Sequence, residues 1–250
     1  MLSLLDKFNQ VVTGPSGRAR SNRQRLLRRV MRPAQFGTLR RITPLSEYWG
    51  YDRGTPVDRY FMEHFLDEHR RDIRGHVLEV ENSFYTQRFG TGVERAEVLD
   101  IDSTNPHATI VADLAAADCI PADTFDCIIL TQTLQYIYHP QAAIAHACRI
   151  LRPGGVLLAT VPGIIKMDPD FVGTDYWRFT VDSCAALFGE VFGREQIKVR
   201  TYGNVLTAIA FLTGIAHEEL SARELDSADP AYPVVIAVRA VKPGEKVARS

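Results

Sequence analysis

The chain has 250 residues, 46% of them hydrophobic and 24% charged, with a formal net charge of -1. That length suits one α/β domain with a full core and short extensions. The near-neutral balance excludes a generally basic nucleic-acid binder, although it conceals a local asymmetry.

The asymmetry lies in residues 1–42, a basic arm. Arg18, Arg20, Arg23, Arg25, Arg28, Arg29, Arg32, Arg40 and Arg41 follow one another without an Asp or Glu between them. Gly14-Pro15-Ser16-Gly17 leads in, and Leu26, Leu27, Val30 and Met31 give a short helix one apolar stripe before Pro33. Such an arm is either a solvated helix or a dock for phosphate groups on an anionic surface. Residues 43–75 continue with Tyr48-Trp49-Gly50-Tyr51-Asp52-Arg53-Gly54 and, after Thr55-Pro56, a helix with Phe61, Phe65 and Leu66 on one face.

From residue 76 to 244, short β-branched runs alternate with helical patterns, as in a parallel sheet covered on both faces. We expect seven strands, at 77–80, 98–101, 109–111, 125–130, 156–161, 197–202 and 234–241, with helices near 141–150 and 181–188. The last two strands stand about thirty residues apart, longer than an ordinary loop. Val205, Leu206, Ile209, Phe211, Leu212, Ile215 and Leu220 suggest an amphipathic helix inserted near 204–228. It serves core packing, a lid or a homodimer surface.

Cys119, Cys127, Cys148 and Cys184 lie far apart in apolar stretches, with no CxxC and no histidine at metal spacing. They read as reduced core residues, and no metal is expected. With no long apolar leader and no stretch of membrane-spanning length, a cytoplasmic protein is expected.

A doubly wound sheet binds its ligand beyond the carboxyl ends of its strands, so candidate site residues follow each strand. Val77-Leu78-Glu79-Val80 ends the first, and Val98-Leu99-Asp100-Ile101-Asp102 ends the second. The latter puts a carboxylate about twenty positions on, where a ribose is read, and Asp102 is the expected ribose ligand. Asp113 and Leu114 follow the third strand and would meet an adenine, the carboxylate taking its amine and the backbone amide a ring nitrogen. Thr131 and Gln132 follow the fourth, and Leu151-Arg152-Pro153-Gly154-Gly155 turns the chain into the fifth.

This series resembles class I S-adenosylmethionine-dependent methyltransferases, of the methyltransferase type 11-like group that acts on many small molecules. The resemblance rests on Phe125-Asp126-Cys127-Ile128-Ile129-Leu130, on Leu151-Arg152-Pro153-Gly154-Gly155, and on Asp175-Tyr176-Trp177-Arg178-Phe179-Thr180. The last is similar to a segment of bacterial members acting on glycans or secondary metabolites. The resemblance implies a doubly wound, seven-stranded, Rossmann-like sheet with helices on both faces, S-adenosylmethionine as cofactor, and O-methylation of a saccharide, glycolipid or secondary metabolite.

One departure concerns the first loop, where the family has Gly-x-Gly-x-Gly and this chain has Glu79-Val80-Glu81-Asn82-Ser83-Phe84-Tyr85. Glycine serves there because a Cβ crowds the ligand and a positive φ costs little without one. Either Glu81 turns outward, Asn82 takes a left-handed backbone and Phe84 or Tyr85 covers the cofactor, or the pocket is occluded in a catalytically inactive methyltransferase-fold binding protein. A nicotinamide oxidoreductase is disfavoured by the missing Gly-x-Gly-x-x-Gly, and no RNA-binding module is recognisable.

Methyl transfer needs an in-line nucleophile and the exclusion of water rather than a metal. A neutral histidine suits a hydroxyl acceptor, and His139 is the candidate base, although Gln135 and Tyr136 stand where related enzymes carry Glu-His. Tyr176, Trp177 and Arg178 would line the acceptor pocket. Trp49, Tyr51, Arg53 and Arg59, in the segment expected to cover it, would hold a sugar or polar ring.

Overall fold

The computed structural model describes residues 37–244, and the chain divides into two compact units, 1–42 and 43–250. The described part of the first unit contains one 3-10 turn, Gly37–Leu39. The rest of the basic arm, with its expected helix around residues 26–31, lies outside the described residues.

The second unit holds a seven-stranded sheet in the order β3-β2-β1-β4-β5-β7-β6. Its strands are β1 (Gly75–Val80), β2 (Val93–Asp100), β3 (Ile110–Val111), β4 (Phe125–Thr131), β5 (Leu151–Pro162), β6 (Ile197–Tyr202) and β7 (Val235–Val241). The first five run parallel, and β7 pairs antiparallel with both β5 and β6. Six helices accompany it among the described residues: α1 (Val57–Glu68), α2 (Phe84–Phe89), α3 (Pro140–Ile150), α4 (Val181–Phe192), α5 (Val205–Thr213) and α6 (Ala222–Asp226). None is long and apolar enough to cross a membrane.

Side chains alternate across a strand, and β4 shows the consequence. Ile128 and Leu130 enter a core built with α3 and α4, through Ile144, Ala147, Phe188 and Phe192. Cys127 and Ile129 enter a second core on the other face, built with α1, α2 and α5 through Phe61, Phe65, Phe89 and Phe211. Burying each of these large side chains is worth about 1.5–3 kcal/mol. Local chemistry sets the helix ends: Thr180 and Ser183 form a capping box at α4. Asn204 accepts from Leu206 and Thr207 amides at α5, which ends on Gly214 at φ 75°.

Several boundaries differ from expectation. β2 starts at Val93 because its charged, exposed first half still pairs with β1, from Gly75↔Val93 onward. Residues 152–155 belong to β5 rather than to a turn before it, opposite a register shift between Phe125 and Cys127. The expected inserted helix breaks at Gly214 into α5, a turn at His217–Glu219 and α6. The inner side of α5 packs through Ala208 and Phe211, while Val205, Leu206, Ile209 and Leu212 stay exposed. Cys119 is exposed rather than in the core.

Candidate functional site

Strand order reverses between β1 and β4, so the loops that follow them diverge and leave a crevice at the carboxyl edge. A cleft of about 690 Å³ opens beside the ends of β1 and β2, lined by Glu81, Asn82, Ser83, Phe84, Gln87, Asp100, Asp102, Asn105 and His107.

The first loop is organised from beneath. Glu79 is 3% exposed, and its carboxylate accepts from the amides of Tyr85 (2.9 Å) and Thr86 (2.7 Å) at the start of α2. Burial pushes its pKa up, and the two amide bonds oppose that shift. Glu79 thus supports the loop and does not line the cleft. Above it, the left-handed residue is Glu81, at φ 72°, and not Asn82. The Glu81 amide donates to the Leu99 carbonyl (3.0 Å) and the Asn82 amide to the Val80 carbonyl (2.9 Å). This is a γ-turn centred on Glu81, and the Glu81 side chain is exposed at the cleft.

The loop's other polar groups bond among themselves. Asn82 Oδ1 accepts from the Phe84 amide (2.9 Å), and Ser83 Oγ accepts from Gln87 Nε2 (2.7 Å). Phe84 lines the cleft, whereas Tyr85 turns into the core and accepts a hydrogen bond from Arg59 Nη1 (2.8 Å). Arg59 therefore ties α1 to α2 rather than facing an acceptor. The Arg88–Glu63 pair (2.7 Å) repeats that tie.

At the end of β2, Asp100 Oδ1 accepts from the Asp102 amide (2.9 Å) and Oδ2 from Asn105 Nδ2 (2.5 Å). Asp102 is exposed, and its Oδ1 accepts from the Thr104 amide (2.8 Å) and hydroxyl (2.7 Å). Those bonds hold its carboxyl below the ordinary value. Both carboxylates line the cleft. Asp113 caps the short turn Leu114–Ala116 by accepting from the Ala115 amide (2.8 Å), and Leu114 is buried in the core. Neither is among the cleft residues.

Beyond β4, the Thr131 carbonyl accepts from the Thr133 hydroxyl (2.9 Å). Gln132 sits at φ 47° with its amide on the Thr160 carbonyl (2.8 Å). Among the described residues, both carboxamide atoms of Gln132 are buried without a partner, as are Gln135 Oε1 and Thr160 Oγ1. Buried groups left in that state are costly.

Some of the expected acceptor residues meet. The Tyr176 and Trp177 amides donate to the Gln135 carbonyl (2.9 and 3.2 Å), and Trp177 Nε1 to the Ile137 carbonyl (3.0 Å). The Tyr138 ring stands edge-on to both His139 (4.7 Å) and Tyr176 (5.2 Å). Arg178 is engaged elsewhere: it grips Asp175 through two bonds (2.5 and 2.8 Å) and donates to the Trp177 and Lys166 carbonyls. Lys166 in turn donates to the Glu47 carbonyl and lies 3.8 Å from the Trp49 ring centre. The two segments expected to converge thus meet through Lys166. Arg53 instead pairs with Glu219 (2.9 and 2.5 Å), and Tyr51 is exposed.

This arrangement makes Arg178 a positioning residue for residues 166–178. Arg178→Ala should lower turnover at least fivefold, leave S-adenosylhomocysteine affinity within threefold, and open the segment to limited proteolysis. Arg178→Lys should recover only part of the loss, because an ammonium cannot reproduce the two-pronged grip. Unchanged turnover in Arg178→Ala would remove that role.

A parallel sheet closed by an antiparallel β7 between β5 and β6, with carboxylates at the strand ends, defines the class I methyltransferase architecture. The sequence matches the methyltransferase-domain family over residues 37–184, more than half its length, and the chain belongs to that family of S-adenosylmethionine-dependent enzymes. Among solved structures, it is similar to an S-adenosylmethionine-dependent methyltransferase from Archaeoglobus fulgidus, at 13% identity and a TM-score of 0.51 over 79% of this chain and 100% of that one. Another from Mesorhizobium loti is 17% identical, with a TM-score of 0.50 over 77% of this chain and 100% of that one. At such identities the likeness is one of fold. No curated protein matches the chain.

Proposed function

We propose that the protein O-methylates a saccharide, glycolipid or secondary metabolite, with the adenosyl part of S-adenosylmethionine held in the cleft beside β1 and β2. The observation that carries this reading is the γ-turn at Glu81: without any glycine, the first loop still takes a positive-φ turn and leaves the cleft open. The residues present fit the cofactor. Asp100 keeps a lone pair on each oxygen for the ribose hydroxyls, and Phe84 offers an aromatic wall. When bound, S-adenosylmethionine supplies a methyl group on a positively charged sulfur that departs readily.

The chain's own task is placement and the exclusion of water. Tyr138, Tyr176 and Trp177 present exposed aromatic surface on the β4–β5 side, suited to stacking on a sugar or polar ring. His139, beside Tyr138, would take the acceptor hydroxyl proton at a ring nitrogen. Calorimetric titration with S-adenosylmethionine and with S-adenosylhomocysteine tests the cofactor half of the reading. Binding of each at one site per chain is expected, and a folded protein that takes neither would defeat it.

The basic arm supplies a separate expectation. Deleting residues 1–32 should leave cofactor affinity intact while abolishing binding to anionic vesicles, a binding that in the full chain falls steeply with added salt. Equal vesicle binding by the two forms would remove the docking role from the arm.

A further inference from the structure

Asn105 is not explained by any of the roles above, yet its side chain uses both of its donors and its acceptor oxygen. Its Nδ2 donates to the Glu81 carbonyl (2.7 Å) and to Asp100 Oδ2 (2.5 Å), and its Oδ1 accepts from the His107 amide (2.9 Å). The two hydrogens of one amide nitrogen diverge, so a single group joins the turn after β1 to the carboxylate ending β2. Both partners line the same cleft.

The Glu81 turn needs such a partner. A γ-turn with positive φ at its centre is rare and strained, and a residue with a Cβ pays for that conformation in a way glycine does not. Strained backbone persists where the surroundings over-determine it. Here the Glu81 amide is fixed on the Leu99 carbonyl and its own carbonyl on Asn105 Nδ2. The same Asn105 nitrogen fixes Asp100 Oδ2 while the Asp102 amide fixes Oδ1, so the carboxylate has one orientation toward the cleft.

We infer that Asn105 is the positioning residue that lets a glycine-free loop serve the cofactor, by holding Glu81 in its left-handed turn and Asp100 in register for the ribose. The inference rests on the cofactor reading above. It assigns to Asn105 a part that glycine plays without help, and so it makes the need for Asn105 conditional on the residue at 81.

The test is S-adenosylhomocysteine affinity by calorimetry in four proteins: wild type, Asn105→Ala, Glu81→Gly and the double variant, each with its melting temperature. Asn105→Ala should weaken binding at least fivefold, and Glu81→Gly supplies the reference affinity for the double variant. Adding Glu81→Gly to Asn105→Ala should win back at least threefold, because glycine adopts the turn unaided. A role for Asn105 confined to general stability would not be rescued by a glycine twenty-four positions away. Asn105→Asp guards against misfolding of the alanine variant: it keeps the acceptor for His107 but sets a carboxylate against Asp100, and should also lose at least fivefold. Asn105 variants that bind within fivefold of wild type overturn the inference, as does a loss that Glu81→Gly does not relieve. Failure of the wild type to bind is a different result, since it removes the cofactor reading itself.

Discussion

An Asp100→Ala variant will bind S-adenosylhomocysteine more than tenfold more weakly than the wild-type chain while keeping its fold. Asp100 ends β2 at the cleft, and the protein donors it already holds, the Asp102 amide and Asn105 Nδ2, occupy one lone pair on each oxygen. The remaining pairs can take two ribose hydroxyls. Hydrogen bonds to a charged acceptor are worth about 1.5–3 kcal/mol each, and about 1.4 kcal/mol is a factor of ten. Asp102→Ala should weaken binding less, because one of its oxygens already closes a turn onto Thr104. If the ordering is reversed, with Asp102→Ala the more damaging, Asp102 is the ribose ligand and Asp100 the support. The comparison needs only calorimetry and a thermal melt on two single variants.

The largest effect on stability should come from Glu79. Glu79→Ala removes the acceptor for the Tyr85 and Thr86 amides, both buried residues at the start of α2. Each amide stranded without a partner costs about 1–3 kcal/mol, so urea unfolding should show a loss of about 2–6 kcal/mol. Because α2 carries Phe84 and Gln87 to the cleft, cofactor binding should fail with it. Glu79→Gln should cost less, since its one oxygen still accepts from one amide. The pH dependence has a definite sign. Burial raises the folded-state pKa above the ordinary 4.5, so what this carboxyl contributes to stability is fully present below 4.5 and declines as pH rises through the folded value. The non-titrating glutamine variant should therefore gain on wild type over that interval. A difference between the two that does not change with pH would show that Glu79 is not held protonated more readily in the folded chain.

How much of this was visible beforehand depends on the distance over which each feature is decided. β6 was placed at both ends because its alternation of apolar and polar residues is complete within six positions. The helices expected near 141–150 and 181–188 also form, and their starts at Pro140 and the Thr180–Ser183 cap are set by side chains within one turn of the helix end. The short α2 was missed. Its six residues carry no periodic stripe long enough to read, and its first amides are held by Glu79 from the preceding strand.

The same division runs through the candidate site. Sequence alone determined the class of protein, the strands whose carboxyl ends border the candidate site, the acidic residues at those ends and the lack of glycine in the first loop, since each follows from residue type and short-range spacing. Only the tertiary structure decided which side chains are already engaged. Arg59 is taken by Tyr85, Arg178 by Asp175 and Arg53 by Glu219, while Gln132 is left without a partner among the described residues. Only the fold brings Asn105 to Glu81, whose left-handed turn no residue next to it in sequence explains. The reason is physical: alternation and capping act through neighbours in the chain, whereas the partner of a carboxylate, an amide or a guanidinium is whatever group folding carries to within about 3 Å of it.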